Sequence, residues 1–110
     1  MKTSMTDAAP AFAALGDPTR LALVMRLSHE GPLSISRLTG RARITRQAVT
    51  KHLRTLEQAR LVSSERAGRE RLWQLRQNRL RDVRGYLDQI SGQWDAALER
   101  LRAMVESPAD

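Results

Sequence analysis

Residues 44–56 constrain the fold most, because this segment separates apolar from polar residues onto opposite faces of a helix. The apolar positions recur at three- and four-residue spacings, and they are Ala48, Val49, Leu53 and Leu56. The polar positions left facing outward, behind a predicted N-cap at Thr45, are Arg46, Gln47, Thr50, Lys51 and Arg54. Such a helix can enter the major groove of duplex DNA, where Arg and Lys donate to guanine and Gln pairs with adenine. The plainer alternative is a solvated amphipathic helix.

The next segment, residues 62–75, predicts a basic β-hairpin. Gly68 can adopt the positive φ of a tight turn, and Trp73 and Leu75 share the face that would pack onto the helices, although Leu72 interrupts the alternation. Three cations surround the tip: Arg66, Arg69 and Arg71. A recognition helix followed by such a hairpin is the order of a winged helix-turn-helix, in which the hairpin, or wing, reaches the DNA backbone or the minor groove.

The charge distribution indicates a polyanionic partner. The chain has 110 residues and a net charge of +7, and residues 41–84 alone hold 13 Lys or Arg against 4 Asp or Glu, a balance of +9. Charge alone would also suit RNA or an anionic membrane. A membrane surface is disfavoured, because the basic segment is broken by turns and contains no long basic amphipathic helix with exposed aromatics.

Several function classes are not expected from this composition. No segment approaches the roughly 20 apolar residues of a membrane span, and Lys2 is not followed by an apolar signal core, so a cytoplasmic protein is predicted. There is no cysteine for a disulfide or thiolate chemistry. The absence of a glycine-rich phosphate loop or a recognisable catalytic constellation argues against an enzyme, and no cofactor is expected.

The N-terminal half predicts two helices ahead of the helix-turn-helix. Residues 1–9 are expected to be flexible and residues 11–15 to form a short helix closed by Gly16, the first element of one winged-helix domain over residues 10–106. Asp17 as N-cap and Pro18 at the first helical position begin the second helix. Its predicted core positions are Leu21, Val24, Met25 and Leu27.

Residues 34–40 predict the positioning helix, with Ser34 as its cap and Ile35 and Leu38 facing inward. The turn through Arg43 then leads into the recognition helix, expected at about residues 45–59. The complete predicted DNA-binding set is Arg43, Thr45, Arg46, Gln47, Thr50, Lys51, Arg54, Arg66, Arg69 and Arg71.

The C-terminal region, residues 78–105, predicts one long helix with an apolar seam in a heptad-like pattern, and residues 107–110 are an expected flexible tail. The apolar seam comprises Leu80, Val83, Leu87, Ile90, Trp94, Leu98, Leu101 and Val105. A helix of this length extends roughly 40 Å, so a second chain is its simplest cover. Intramolecular packing is the alternative, and Gly85 and Gly92 weaken the helix. The predicted dimer interface is Phe12, Leu15, Val83, Leu87, Ile90, Trp94, Leu98 and Leu101.

Three blocks of the sequence together resemble ArsR-type winged-helix regulators: LGDPTRL at residues 15–21, QAVTKHLRTLEQARLV at 47–62 and GRERLWQL at 68–75. The resemblance covers about residues 10–105. It implies a mainly α fold of about five helices with a small β-hairpin, and a dimer built from the terminal helices. It further implies operator binding by the recognition helix and wing, with repression usually relieved by an inducer.

The chain departs from the metal-sensing members of that family. Where they carry Cys-x-Cys, this chain has Ser34-Ile35-Ser36, and hydroxyls do not replace thiolates for soft metals. The last helix offers acids without histidine for zinc: Asp82, Asp88, Asp95 and Glu99. We expect fold support or a phosphate contact from His52, and we expect no metal site. The chain therefore resembles the metal-independent members.

These patterns predict a sequence-specific, double-stranded DNA-binding transcriptional regulator. We expect a homodimeric repressor on a palindromic or pseudo-palindromic operator. The sequence leaves three forms of regulation open: a small-molecule inducer of unknown identity between the dimer helices, a protein partner, or expression level alone. The alternative is a winged-helix module for RNA or protein interaction without operator specificity. The outward polar residues of the recognition helix favour duplex DNA over that alternative.

Overall fold

The computed structural model describes residues 5–40 and 43–106. Within them the chain forms five helices and a three-stranded antiparallel sheet of strand order β1-β3-β2, a winged helix-turn-helix as predicted. The elements are α1 (Met5–Leu15), α2 (Pro18–Glu30), β1 (Leu33–Ser34), α3 (Ile35–Gly40), α4 (Arg46–Gln58), β2 (Val62–Ala67), β3 (Glu70–Leu75) and α5 (Gln77–Glu106). The flexible tail expected at 107–110 and the first four residues lie outside the described residues.

The core lies between the sheet and helices α1 to α4. The predicted inward face of α4 is confirmed at three of its four positions, since Val49, Leu53 and Leu56 are fully buried, whereas Ala48 is half-buried. Trp73 of β3 packs into the same cluster. Burial of these side chains fixes which face of α4 remains outside, because each contributes about 1.5–3 kcal/mol relative to exposure.

The first helix begins earlier than expected. Residues 5–9, which we expected to be flexible, belong to α1, and Ala8 is fully buried. Arg79 of α5 also donates a hydrogen bond to the backbone oxygen of Asp7. Tertiary contacts thus stabilise a helical turn that has little local signal of its own.

Helix α2 buries only two of its four predicted core positions, Val24 and Leu27. Leu23, Val24 and Leu27 are buried, whereas Leu21 and Met25 are 45% and 54% exposed. The run from residue 21 to residue 25 is entirely apolar, so its periodicity does not single out one face. The contacts of α2 with α1, α4 and β3 determine the face instead.

Asp17 caps α2 as predicted, because its carboxylate accepts a hydrogen bond of 2.9 Å from the backbone N–H of Arg20. That hydrogen bond, followed by the charges of the Arg20 guanidinium and of His52, holds the pKa of the Asp17 carboxyl below its ordinary value of 3.8. A lowered folded-state pKa adds stability that is present above 3.8 and is lost as the pH falls below it.

We therefore expect Asp17→Asn, which keeps a capping oxygen but has no charge to titrate, to flatten the acid limb of the stability profile. Wild type should lose more thermal stability than the variant between about pH 5 and about pH 3. Thermal unfolding followed by circular dichroism at matched ionic strength measures the difference. Parallel profiles for the two proteins would contradict this role of the Asp17 charge.

The wing consists of β2, β3 and their turn, residues 62–75, as predicted. Gly68 adopts φ 66° at the turn, and the register places Arg66 opposite Arg71. The two-residue strand β1 adds a third strand that was not predicted, pairing Leu33 with Trp73. Ser34 ends β1 and caps α3 as predicted, accepting a hydrogen bond of 3.3 Å from the Arg37 backbone N–H.

Helix α5 has 30 residues, equivalent to about 45 Å, and contacts the rest of the protomer mainly through its first three turns. Val83, which we expected at the dimer interface, is only 6% exposed and lies in the protomer's own core. Beyond Tyr86 the seam is uncovered. The exposed seam comprises Leu87 (50% exposed), Ile90 (48%), Trp94 (63%), Leu98 (45%) and Leu101 (55%).

The α1 residues of the predicted interface are less exposed than those in the second half of α5. Phe12 and Leu15 of α1 are half-buried and pack against the core, and the Phe12 ring lies 5.8 Å from that of Tyr86 on α5.

No described helix combines the length and apolarity needed to span a membrane.

Candidate nucleic-acid interface

The start of α4 presents polar groups to solvent. Thr45 caps the helix, its hydroxyl accepting a hydrogen bond of 3.1 Å from the Ala48 backbone N–H. Gln47 and Lys51 follow on the outer face and are exposed. Neither side chain forms a hydrogen bond or ion pair with another described residue. Their amide and ammonium groups are therefore open to an external partner.

Two other predicted contact residues also form intramolecular interactions. The hydroxyl of Thr50 donates to the Arg46 backbone oxygen at 2.9 Å. Arg54 pairs with Glu57 at 3.3 Å, and its guanidinium carbon lies 5.9 Å from the centroid of the Trp73 ring. This cation–π contact connects α4 to the base of the wing, while the Arg54 side chain stays 61% exposed.

Residues at the junction of α1 and α2 contact the middle of α4. His52 Nδ1 lies 4.0 Å from the Asp17 carboxylate and 3.4 Å from a terminal guanidinium nitrogen of Arg20. Arg20 also donates from Nε to the Ala14 backbone oxygen at 2.7 Å. The expected support of the fold by His52 is thus visible in these contacts. The LGDPTR block contributes both partners.

A buried arginine that the sequence analysis missed connects three helices. Arg79 of α5 is 5% exposed and donates from Nε to the backbone oxygen of Ala59 at 3.1 Å, just past the end of α4. It also donates to Asp7 of α1. A cation is favourable beside the carbonyls at a helix C-terminus. A signal was available, because Arg79 precedes the buried Val83 by four residues and so shares its face.

Four predicted DNA-binding residues meet in one cleft of about 280 Å³ between the wing and the start of α4. We name it the arginine cleft. It is lined by Arg46, Arg66, Arg69 and Arg71, together with Ser34, Ile35, Ser36 and Glu70. One terminal guanidinium nitrogen of Arg46 donates to the Ser36 hydroxyl at 3.4 Å. Arg46 therefore turns toward α3 and the wing, away from Gln47 and Lys51.

The remaining predicted contact, Arg43, lies apart from the cleft. It is exposed in the turn before α4 and lines an apolar groove with Pro18, Ala22 and Ile44. Ser34, for which the sequence resemblance implied a thiolate in metal-sensing family members, is buried and caps α3. Over residues 5–40 and 43–106, no three His, Cys, Asp or Glu side chains lie close enough together to hold a metal ion.

Comparison with known proteins agrees with this architecture. Residues 15–65 match a family described as a helix-turn-helix domain. The chain is similar to the HTH-type transcriptional regulator Rv2034 of Mycobacterium tuberculosis, at 39% identity over 100 residues, covering 91% of this chain and 90% of that protein. Similarity at this level over nearly the whole of both chains extends beyond the helix-turn-helix to α5.

Solved structures show the same fold. An ArsR-like transcriptional regulator from Rhodococcus sp. RHA1 superposes with a TM-score of 0.81 at 33% identity, covering 94% of this chain and 96% of that one. The homodimeric winged helix-turn-helix DNA-binding domain of Mb0332 from Mycobacterium bovis has a TM-score of 0.63 at 18% identity, with 81% of each chain covered. The chain therefore belongs to the ArsR-like family of winged helix-turn-helix transcriptional regulators, which bind DNA and are not enzymes.

Proposed function

We propose that this DNA-binding regulator is a homodimeric repressor of a palindromic or pseudo-palindromic operator. The observation that carries the proposal is the exposed seam of α5. Five large apolar side chains in one row favour association with a second copy. A second copy supplies a second α4, and two recognition helices can read two half-sites about one helical turn apart.

The seam favours a symmetric pairing of two copies. Its apolar residues recur at heptad-like spacing, so the same face of a second α5 is complementary to it. Phe12 and Leu15 are half-buried on α1, which packs against α5, and would extend the apolar surface. The proposed interface is therefore Phe12, Leu15, Leu87, Ile90, Trp94, Leu98 and Leu101. Mb0332, which shares the fold, is itself homodimeric.

Operator reading is assigned to Gln47 and Lys51. Both are exposed and have polar ends without partners among the described residues. Glutamine can pair with adenine through two hydrogen bonds, and lysine can donate to the acceptors of guanine. The arginines of the wing would contact the backbone, which carries no direct sequence information.

The experiment is selection of genomic fragments bound by the purified protein, followed by fluorescence anisotropy with the selected duplex and a random one. Gln47→Ala should cost about 1–3 kcal/mol on the selected duplex and much less on the random one. Gln58→Ala, at the far end of the same helix and equally exposed, is the matched control and should change neither affinity.

Two outcomes would contradict the proposal. Equal wild-type affinity for the selected and random duplexes at moderate salt would remove operator specificity. Equal competition by structured RNA would favour the alternative winged-helix module. For the repressor role, deletion of the gene should raise transcription from promoters that overlap the selected sites, and an inducer would raise it by weakening operator binding. A fall in transcription would instead indicate an activator.

A further inference from the structure

We propose that the arginine cleft is an oxyanion site that holds one phosphate group, and that Arg46 therefore binds the DNA backbone and does not read a base. The part that concerns the operator rests on the proposed function. The shared chemistry is a phosphate, which a DNA strand or a free phosphate compound can supply.

The register of the wing is the first observation. Arg66 and Arg71 lie directly opposite each other on neighbouring strands. Like charges at directly opposed positions destabilise an antiparallel pair, so this arrangement opposes the stability of the hairpin. Such a local conflict is typical of functional sites. Arg71 donates to the Ser64 hydroxyl at 2.9 Å and Arg66 to the Gly68 backbone oxygen at 3.4 Å, and neither neutral acceptor cancels the charge. An anion bound by both guanidinium groups would offset their repulsion.

The second observation is the convergence of cations from separate elements. Arg46 comes from α4 and Arg69 from the turn of the wing, and both line the same cleft as the opposed pair. Ser36 of α3 already accepts a hydrogen bond from Arg46 and holds it toward the cleft. The planar guanidinium group can bind two phosphate oxygens at once, and a serine hydroxyl can add a further donor.

The third observation is that the four arginines of the cleft form no ion pairs with acidic side chains of the described residues. Some arginines elsewhere on the described surface do pair with acids, as in Arg26 with Glu30 and Arg54 with Glu57. Between the described residues no carboxylate lies within ion-pairing distance of the four arginines of the cleft. Glu70 lines the cleft as a single acid among four cations. The cleft thus retains a net positive charge for an external anion.

The position of the cleft agrees with a backbone phosphate. It separates the start of α4, which enters the major groove in this fold, from the wing, which reaches the backbone or minor groove. The sugar-phosphate strand is the boundary between the two grooves. A strand that passes between α4 and the wing therefore brings a phosphate to the cleft.

The first test uses the free protein and inorganic pyrophosphate, so it does not depend on any operator. Titration followed by NMR of the arginine side-chain N–H groups should give saturable shifts at the four cleft arginines. Arg46→Ala should weaken pyrophosphate binding about tenfold or more, since a charge-assisted contact is lost. Arg100→Ala, an exposed arginine on α5, is the matched control and should leave the affinity unchanged. Uniform shifts over all arginines, or no effect of Arg46→Ala, would overturn the oxyanion site.

The second test uses DNA. Arg46→Ala should lower affinity for operator and random duplex by the same factor and reduce the salt dependence by about one counterion per protomer. A larger loss on the operator would mean that Arg46 reads a base, which overturns the assignment. Pyrophosphate should displace duplex more strongly than sodium chloride of equal ionic strength. If pyrophosphate displaces no more duplex than the salt does, the cleft binds free phosphate and not the DNA backbone.

The two proposals can fail separately. Loss of discrimination between operator and random duplex by wild type would contradict operator reading while the pyrophosphate titration still stood. Unlocalised pyrophosphate binding would contradict the oxyanion site and leave the effect of Gln47→Ala intact.

Discussion

Replacing Ile90 and Trp94 together by glutamate is expected to convert the proposed dimer into monomers and abolish tight operator binding. Each wild-type side chain is about half exposed or more in the protomer, at 48% and 63%. Burying a side chain of this size stabilises an interface by about 1.5–3 kcal/mol, and the proposed twofold interface would contain each residue twice. Four carboxylates in the same place would also have to be desolvated. Affinity then falls because one protomer engages one half-site only.

Light scattering coupled to size exclusion measures the mass, and circular dichroism checks that the helices persist. Gln89→Glu with Ala96→Glu adds the same charge to the opposite side of α5 and is the matched control. It should remain dimeric and bind normally. A seam variant that stays dimeric with unchanged affinity would place the interface elsewhere on the molecule.

Operator affinity is expected to fall by about 10³–10⁵ between 50 and 200 mM salt, if two protomers contact about 6–10 phosphates. The cause is the release of counterions by the cations of α4 and the wing, where the basic residues of the chain concentrate. Anisotropy titrations over a salt series give the slope of log affinity against log salt. Arg71→Ala should make the slope shallower by about one per protomer, whereas Arg100→Ala should not. A nearly flat response in wild type would contradict backbone binding altogether.

The parts of the fold that were predicted correctly have strong local patterns. Helix α4 separates its apolar and cationic faces at helical spacing, and Gly68 marks the turn between the two strands of the wing. The predicted start of α1 was wrong. The predicted buried face of α2 was right at Val24 and Leu27 and wrong at Leu21 and Met25. Both depend on contacts distant in sequence. Arg79 and Asp7 are 72 positions apart. The two-residue strand β1 is too short to have a periodicity.

The same distinction applies to the candidate site, where local patterns predicted some features and contacts with distant elements determined the others. Spacing alone identified the outward polar face of α4. It could not show that Arg46 turns toward Ser36, or that Arg54 packs on Trp73, because both orientations are set by other elements. Val83 belongs to the same heptad-like row as Ile90, yet it is buried within the protomer. The row continues past the point where α1 stops covering α5, and the sequence does not mark that point.

The contacts of Arg79 have a consequence for the spacing of two recognition helices on DNA. Its single guanidinium group joins the end of α4 to α1 and α5, the helices of the proposed interface. These hydrogen bonds thereby connect the end of the recognition helix to the surface that is proposed to pair the protomers. In such a dimer, the distance and angle between the two recognition helices would be set by the protein before it binds DNA. The protein would therefore discriminate between operators by the spacing of their half-sites. An inserted base pair changes both the separation and the angular phase of the half-sites.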